Sequence, residues 1–238
     1  MTDTAPDAST LPPMPDDWRR ALCVVAHPDD LEYGCAAAVA QWTDEGREVV
    51  YLLATRGEAG IDGIAPDACA PLREREQRAS AAVVGVETVE FLDHADGVVE
   101  YGVGLRRDIA AAIRRHRPEL VVTLNHHDTW GDGVAWNTPD HVAVGRATLD
   151  AASDAGNRWI FPDAGPERWD GVRWVAVAGS HRPTHAVASG PGFERAVRSL
   201  LAHRAYIEGL TDEDPEAYAR GFMTQMCGSH VTFEVIGR

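Results

Sequence analysis

The sequence predicts an α/β fold: a Rossmann-like three-layer arrangement with a mostly parallel sheet and a smaller C-terminal strand and helix extension. Three observations predict it. Short apolar runs alternate with helix-length segments four times before residue 156. The first two runs, ALCVVA and VVYLLA, are continuously apolar, as expected of strands buried on both faces. Beyond about residue 170 the alternation changes character, and strands begin to outnumber helices.

Taken in order, Ala21–Ala26 reads as a strand, and the Ala-rich stretch Gly34–Gly46 as a helix stopped by Gly46. Val49–Ala54 is a second strand, followed by the Gly-punctuated loop Thr55–Gly60. A helix runs from about Pro71 to Val84, with Gly85 as its stop, and Thr88–Leu92 is a short strand. Leu105–His116 is helical, Leu120–Leu124 is the fourth strand and Asp140–Ala155 the next helix. In the extension, Val172–Val177, Thr184–Ala188 and Val231–Ile236 read as strands, and Phe193–Leu201 and Pro215–Cys227 as helices. The first 18 residues are polar, with Pro and Asp throughout, and read as a disordered tail. Residues 19–238 read as one domain.

Composition narrows the function. The chain has 22 basic and 37 acidic residues, a net charge of −15, and every basic residue is Arg. An acidic surface argues against nucleic acid or an anionic membrane as partner. The absence of Lys removes Schiff-base chemistry. Cys23, Cys35, Cys69 and Cys227 show no CxxC spacing and read as buried small side chains of a reduced, cytoplasmic protein. No run approaches the roughly 18 apolar residues of a membrane span.

The first strand closes on Ala26-His27-Pro28-Asp29-Asp30. A buried strand ending in an imidazole and two carboxylates delivers three metal-capable or base-capable groups to the carboxyl edge of the sheet, where ligands of open α/β sheets sit. Adjacent aspartates leave an extended chain in different directions, so one can coordinate while the other acts as a base. The plain alternative is a surface turn, which His, Pro and Asp all favour.

The stretch after the fourth strand, Asn125 to His141, is rich in His, Asp and Gly and ends at a helix start. Parallel strands present their C-terminal ends together, so the His141 region can converge on His27 and Asp30. Two His and a carboxylate form the three-ligand set of a catalytic zinc with a position left for water. His126 and His127 are a second pair, read either as functional or as loop residues bonded to backbone. Asp140 reads first as a helix N-terminal carboxylate and second as a partner orienting His141.

AHPDD after strand one, TRGEAG after strand two and PDH at a later helix start together resemble the PIG-L/LmbE-like de-N-acetylases, metal-dependent enzymes that remove acetyl groups from N-acetylglucosamine conjugates. The likeness runs from about Ala21 to Leu210. It includes Arg73-x-x-Glu76-x-x-x-Ser80-x-x-x-Val84-Gly85 and a late Phe193…Ala202-His203-Arg204-x-Tyr206 segment. The resemblance implies that His27, Asp30 and His141 ligate zinc, a donor set that also accepts ferrous iron. It implies that Asp29 is the general base and that Arg73, Glu58 and Thr138 meet the substrate.

One departure stands out. Family members commonly read His-Pro-Asp-His, whose first His stabilises the oxyanion or protonates the leaving amine, and this chain has Thr138 there. Either another histidine takes the role, with His126 and His127 nearest in sequence, or the metal and Asp29 carry more of the chemistry. Ala188, after Thr184-His185-Ala186-Val187, stands where related chains often carry Asp.

The resemblance therefore implies a zinc-dependent N-deacetylase acting on a small amino-sugar conjugate, with a homo-oligomer compatible with the sequence. The alternatives are an amidase for a larger acyl group on a glucosaminyl conjugate, decided by loops 58–70, 128–137 and 158–170, and a non-catalytic Rossmann-like binder. The binder lacks a GxGxxG phosphate motif at the first strand–helix turn. Trp130, Trp136, Trp159 and Trp169 are read as flanking the mouth of the site, where they could stack on sugar faces.

Overall fold

Five strands run parallel because helices cross over between them. In the computed structural model, which describes residues 7–131 and 133–238, these are β1 (Arg20–Val25), β2 (Glu48–Leu53), β3 (Thr88–Phe91), β4 (Leu120–Leu124) and, after the short antiparallel hairpin β5 (Thr129–Trp130) and β6 (Ala135–Trp136), β7 (Trp174–Ala178). The extension adds β8 (His185–Ala188) and β9 (His230–Gly237), with β9 antiparallel to both β7 and β8. The sheet order is β3-β2-β1-β4-β7-β9-β8. Winding goes outward from β1 to β2 and β3, then returns across to β4, so the topological switch point lies between β1 and β4. Chain segments leaving those two strands diverge and open a crevice at the carboxyl edge.

Alternation along β1 builds both cores. Ala21, Cys23 and Val25 face a layer made by α2 (Ala36–Asp44), α3 (Pro66–Val83), α6 (Phe193–Leu201) and α8 (Pro215–Cys227). Leu22, Val24 and Ala26 face α4 (Val103–His116) and α5 (Pro139–Ala155). The short helices α1 (Asp30–Gly34) and α7 (Arg204–Leu210) complete the set around the crevice. The three-layer expectation with a parallel sheet and an antiparallel extension is met. All four cysteines are buried free thiols. No helix among the described residues is long and apolar enough to cross a membrane.

Two local expectations change. The helix read from Pro71 begins at Pro66: Ala65 is extended and Pro66 occupies the first helical turn, where its missing N–H costs nothing. Pro71 then sits inside the helix on its exposed side, which limits the penalty of the lost Asp67 carbonyl bond. The expected disordered tail also needs correction where it is described. Residues 8–10 form a 3-10 turn, the amide of Ala186 donates to Pro12 O at 2.9 Å, and Met14 and Trp18 are buried, Trp18 edge-on to Trp42. Two large apolar side chains in an otherwise polar segment anchor it to the sheet. Residues 1–6 lie outside the described residues.

Candidate active site

The AHPDD segment turns sharply as it leaves β1, because Asp29 adopts a left-handed backbone with φ 87°. Asp is among the few non-Gly residues that tolerate this region, at a cost on the order of 1–3 kcal/mol. The turn separates the two aspartates. Asp30 folds back, its Oδ2 accepting the amides of Ala26 (3.0 Å) and His27 (2.9 Å). Asp29 points toward α3, where Arg73 donates to its Oδ2 at 2.7 Å.

His141 enters from the first turn of α5. Thr138 caps that helix, its hydroxyl accepting the His141 amide at 3.3 Å. Across the crevice, His27 Nδ1 lies 3.2 Å from His141 Nε2, and His141 Nε2 lies 3.0 Å from Asp30 Oδ1. Ligand atoms of His27, Asp30 and His141 all fall within 4.8 Å of one another. Burial opposes the charged form of His27, yet its neighbours Asp140, Asp30 and Asp96 hold its pKa well above the usual imidazole value. Burial opposes ionisation of Asp30 as well, but His141 and His27 drive its pKa far below the carboxylate range.

The outward nitrogens test whether this set fits a metal. His27 Nε2 lies 3.0 Å from Asp140 Oδ2 and 3.1 Å from Asp96 Oδ1. His141 Nδ1 lies 2.9 Å from Asn137 Oδ1, whose amide sense is fixed because its Nδ2 donates to Asn125 O and His127 O. The same carboxylates favour a second proton on His27; a ring that ligates a metal carries only one, and these acceptors then hold it on the outer side. The inner nitrogens are then lone pairs facing each other beside a carboxylate, an arrangement that a divalent cation resolves. The residues fit the group.

A second group of three potential ligands, His27, Asp96 and Asp140, shares this ring. Asp140 already accepts Gly97 N (2.8 Å) and Val99 N (3.0 Å), so it holds the loop after β3 and the tautomer of His27. Asp140 stands in the first turn of α5, as its first sequence reading has it, but the ring it partners is His27, not His141.

Asp29 is 4% exposed and its pKa is pushed up to about 6, chiefly by burial; Arg73 pulls in the other direction. Arg73 is 2% exposed, not a solvated helix charge, and its guanidinium packs 4.1 Å from the Tyr206 ring. Both line a cavity of about 810 Å³ with His27, Asp30, Thr138 and His141. Glu58 instead ties its own loop to the loop after β3, accepting the amides of Arg56 (3.2 Å) and Asp96 (2.9 Å). Neither His126 nor His127 lines the cavity. The two rings stack at 4.6 Å, and His127 Nε2 lies 3.0 Å from Glu234 Oε2. The histidine brought into the cavity is His181, in the Gly179-Ser180-His181 turn after β7. Of the four tryptophans, Trp130 lines the cavity, edge-on to His141. Trp136 and Trp159 project into solvent, and Trp169 donates to Pro118 O.

Asp96, Asn137, Gln77, Glu32 and His181 escaped sequence reasoning. Asp96 and His181 each follow a strand that ends on the active edge, so strand order would have flagged them. Asn137 stands four residues before His141, within reach of a helix-start ring.

The switch point of the parallel sheet thus gathers a His, Asp and His cluster able to hold a metal ion beside a buried carboxylate. The model of the PIG-L family, GlcNAc-PI de-N-acetylases, matches residues 22–152, more than half the chain, and the chain belongs to that family. It is 30% identical over 212 residues to the diacetylchitobiose deacetylase of Thermococcus kodakarensis, covering 86% of this chain and 76% of that protein. It is 30% identical over 201 residues to a 1D-myo-inositol 2-acetamido-2-deoxy-alpha-D-glucopyranoside deacetylase of Kineococcus radiotolerans, covering 71% of this chain and 54% of that protein. The solved structure of N,N'-diacetylchitobiose deacetylase from Pyrococcus horikoshii shares the fold, with a TM-score of 0.81, 21% identity, and coverage of 93% and 85% of the two chains.

Proposed function

We propose that this protein is a metal-dependent de-N-acetylase of a neutral N-acetylglucosamine conjugate. His27 Nδ1, Asp30 and His141 Nε2 hold the ion, zinc or ferrous iron. The observation that carries this reading is the pair of inner imidazole nitrogens 3.2 Å apart, each ring's other nitrogen being tied outward. Bound there, a divalent ion lowers the pKa of a water to about 7 and polarises the acetyl oxygen.

Asp29 accepts the proton of the attacking water and returns it to the amine as the C–N bond breaks. General acid–base help of this kind contributes on the order of 10²–10⁴ in rate. Burial suits the task, since it brings the Asp29 pKa to about 6, near the working pH. His181, lining the same cavity, takes the place at the substrate that Thr138 cannot fill, because Thr138 is a helix cap without a titratable proton.

The substrate reading rests on the walls. Among the described residues lining the cavity, Arg73 is the one guanidinium, and Asp29 already engages it. That leaves little to attract an anionic substrate. The cavity extends past the charged end along Tyr33, Phe222, Met226 and Val231. This apolar wall favours a second reading with the same chemistry, cleavage of a larger acyl group from a glucosaminyl conjugate.

Release of amine from acetyl and long-acyl glucosaminides, with zinc or ferrous iron supplied and with a chelator as control, tests both readings. Asp29→Asn is expected to keep about one metal per chain and to lose roughly 10²–10⁴ in kcat. Metal-loaded protein that frees no amine from any amino-sugar amide sinks the proposal.

A further inference from the structure

We propose that Gln77 and Glu32 are positioning residues that aim the Asp29 carboxylate from behind the cavity; the catalytic part of this inference rests on the function proposed above. Asp29 is held at both ends by α3. Arg73 takes its carboxylate at 2.7 Å, and Gln77, one helical turn further on, takes its backbone: the Asp29 amide donates to Gln77 Oε1 at 2.8 Å. Residues four apart share one face of a helix, so the two grips come from a single rigid element.

An amide side chain can present either its oxygen or its nitrogen, and only the oxygen can receive the Asp29 N–H. Glu32 decides which. Its carboxylate accepts Gln77 Nε2 at 3.2 and 3.3 Å, so a reversed Gln77 would set oxygen against carboxylate and NH2 against the Asp29 amide. Glu32 is itself fixed and fully buried. It accepts a hydrogen bond from Ser80, and His203 Nε2 lies 3.4 Å from its Oε2. Gln77 is 1% exposed, and neither residue lines the cavity, so neither can touch substrate. The chain Glu32 to Gln77 to the Asp29 amide therefore holds the left-handed backbone at φ 87° that turns Asp29 away from Asp30.

The test uses metal-loaded full-length protein and two readouts: hydrogen exchange of the Asp29 amide by NMR, and steady-state deacetylation. In Gln77→Met the Asp29 amide is expected to exchange at least about tenfold faster. Metal content and KM should stay unchanged, and kcat should fall roughly 10–100-fold, since a displacement near 1 Å at a reacting group costs about 10². Glu32→Gln, which keeps size and an acceptor, is expected to lose less kcat while still loosening the Asp29 amide, and it decides the matter if Gln77→Met does not fold. A merely structural role would lower melting temperature and metal content without separating kcat from KM. Unchanged Asp29 exchange and kcat within twofold of the parent in a folded variant overturn the inference. Faster exchange in the variants of a parent that frees no amine would leave the positioning intact and remove the proposed function instead.

Discussion

Arg73 and Asp29 form a buried ion pair, guanidinium to carboxylate at 2.7 Å, at the wall of the cavity. It places a fixed positive charge beside a group that burial alone would keep protonated. The pair thus sets how much of Asp29 is available as a base at neutral pH.

That balance predicts a pH profile. Asp29 works only when ionised, and its pKa is raised from 3.8 to about 6. Activity is therefore present above that pKa and lost as pH falls through it. A bound cation favours the charged form, as Arg73 does, so the acid limb of kcat/KM should lie at or below about pH 6. Arg73→Met removes the nearer charge and should move that limb to higher pH. A limb that stays in place, or moves down, contradicts the electrostatic assignment.

Metal affinity should depend on residues outside the ligand set. His27→Ala and His141→Ala should each abolish stoichiometric metal binding. Asp140→Ala removes one of the two carboxylates at His27 Nε2 and two loop anchors, and should weaken affinity roughly 10–100-fold in chelator competition. Wild-type affinity in that variant would mean that Asp96, 3.1 Å from the same nitrogen, orients the ring without Asp140.

The histidines divide by position. His126→Ala and His127→Ala should leave kcat within a few-fold of the parent, because neither ring lines the cavity. His181→Ala should cost at least about tenfold, in keeping with the loss of one proton-donating or oxyanion-binding group. Kinetics of the three single variants on one substrate separate these outcomes, and the reverse ranking would return the role to the 126–127 pair.

Packing gives a prediction independent of catalysis. A Cβ at Gly192 would stand 2.0 Å from Ala37 O, so the 3-10 turn before α6 can approach α2 only without a side chain. Gly192→Ala should destabilise the fold by about 1–3 kcal/mol, the usual cost of overpacking. Denaturant unfolding reads this directly, and an unchanged midpoint at constant m-value would show that the turn can move aside.

What the linear order determined was the parallel sheet, the extension and that His27, Asp30 and His141 can gather at one edge. Largely apolar runs ending in AHPDD and LNHHD carry that information locally, because a strand buried on both faces keeps its charged residues for the edge. The helix start at Thr138-Pro139-Asp140-His141 is equally local. Which side chain meets which was decided by the tertiary structure. Asp140 serves His27 across 113 positions, Gln77 holds Asp29 across 48, and His181 reaches the cavity because β7 lies beside β4. Hydrogen bonds act over about 3 Å, while the direction in which a loop residue points depends on segments far away in the chain. His126 and His127, adjacent to the active loop in sequence, therefore stop one layer short of the cavity, stacked on each other with His127 packed against His181.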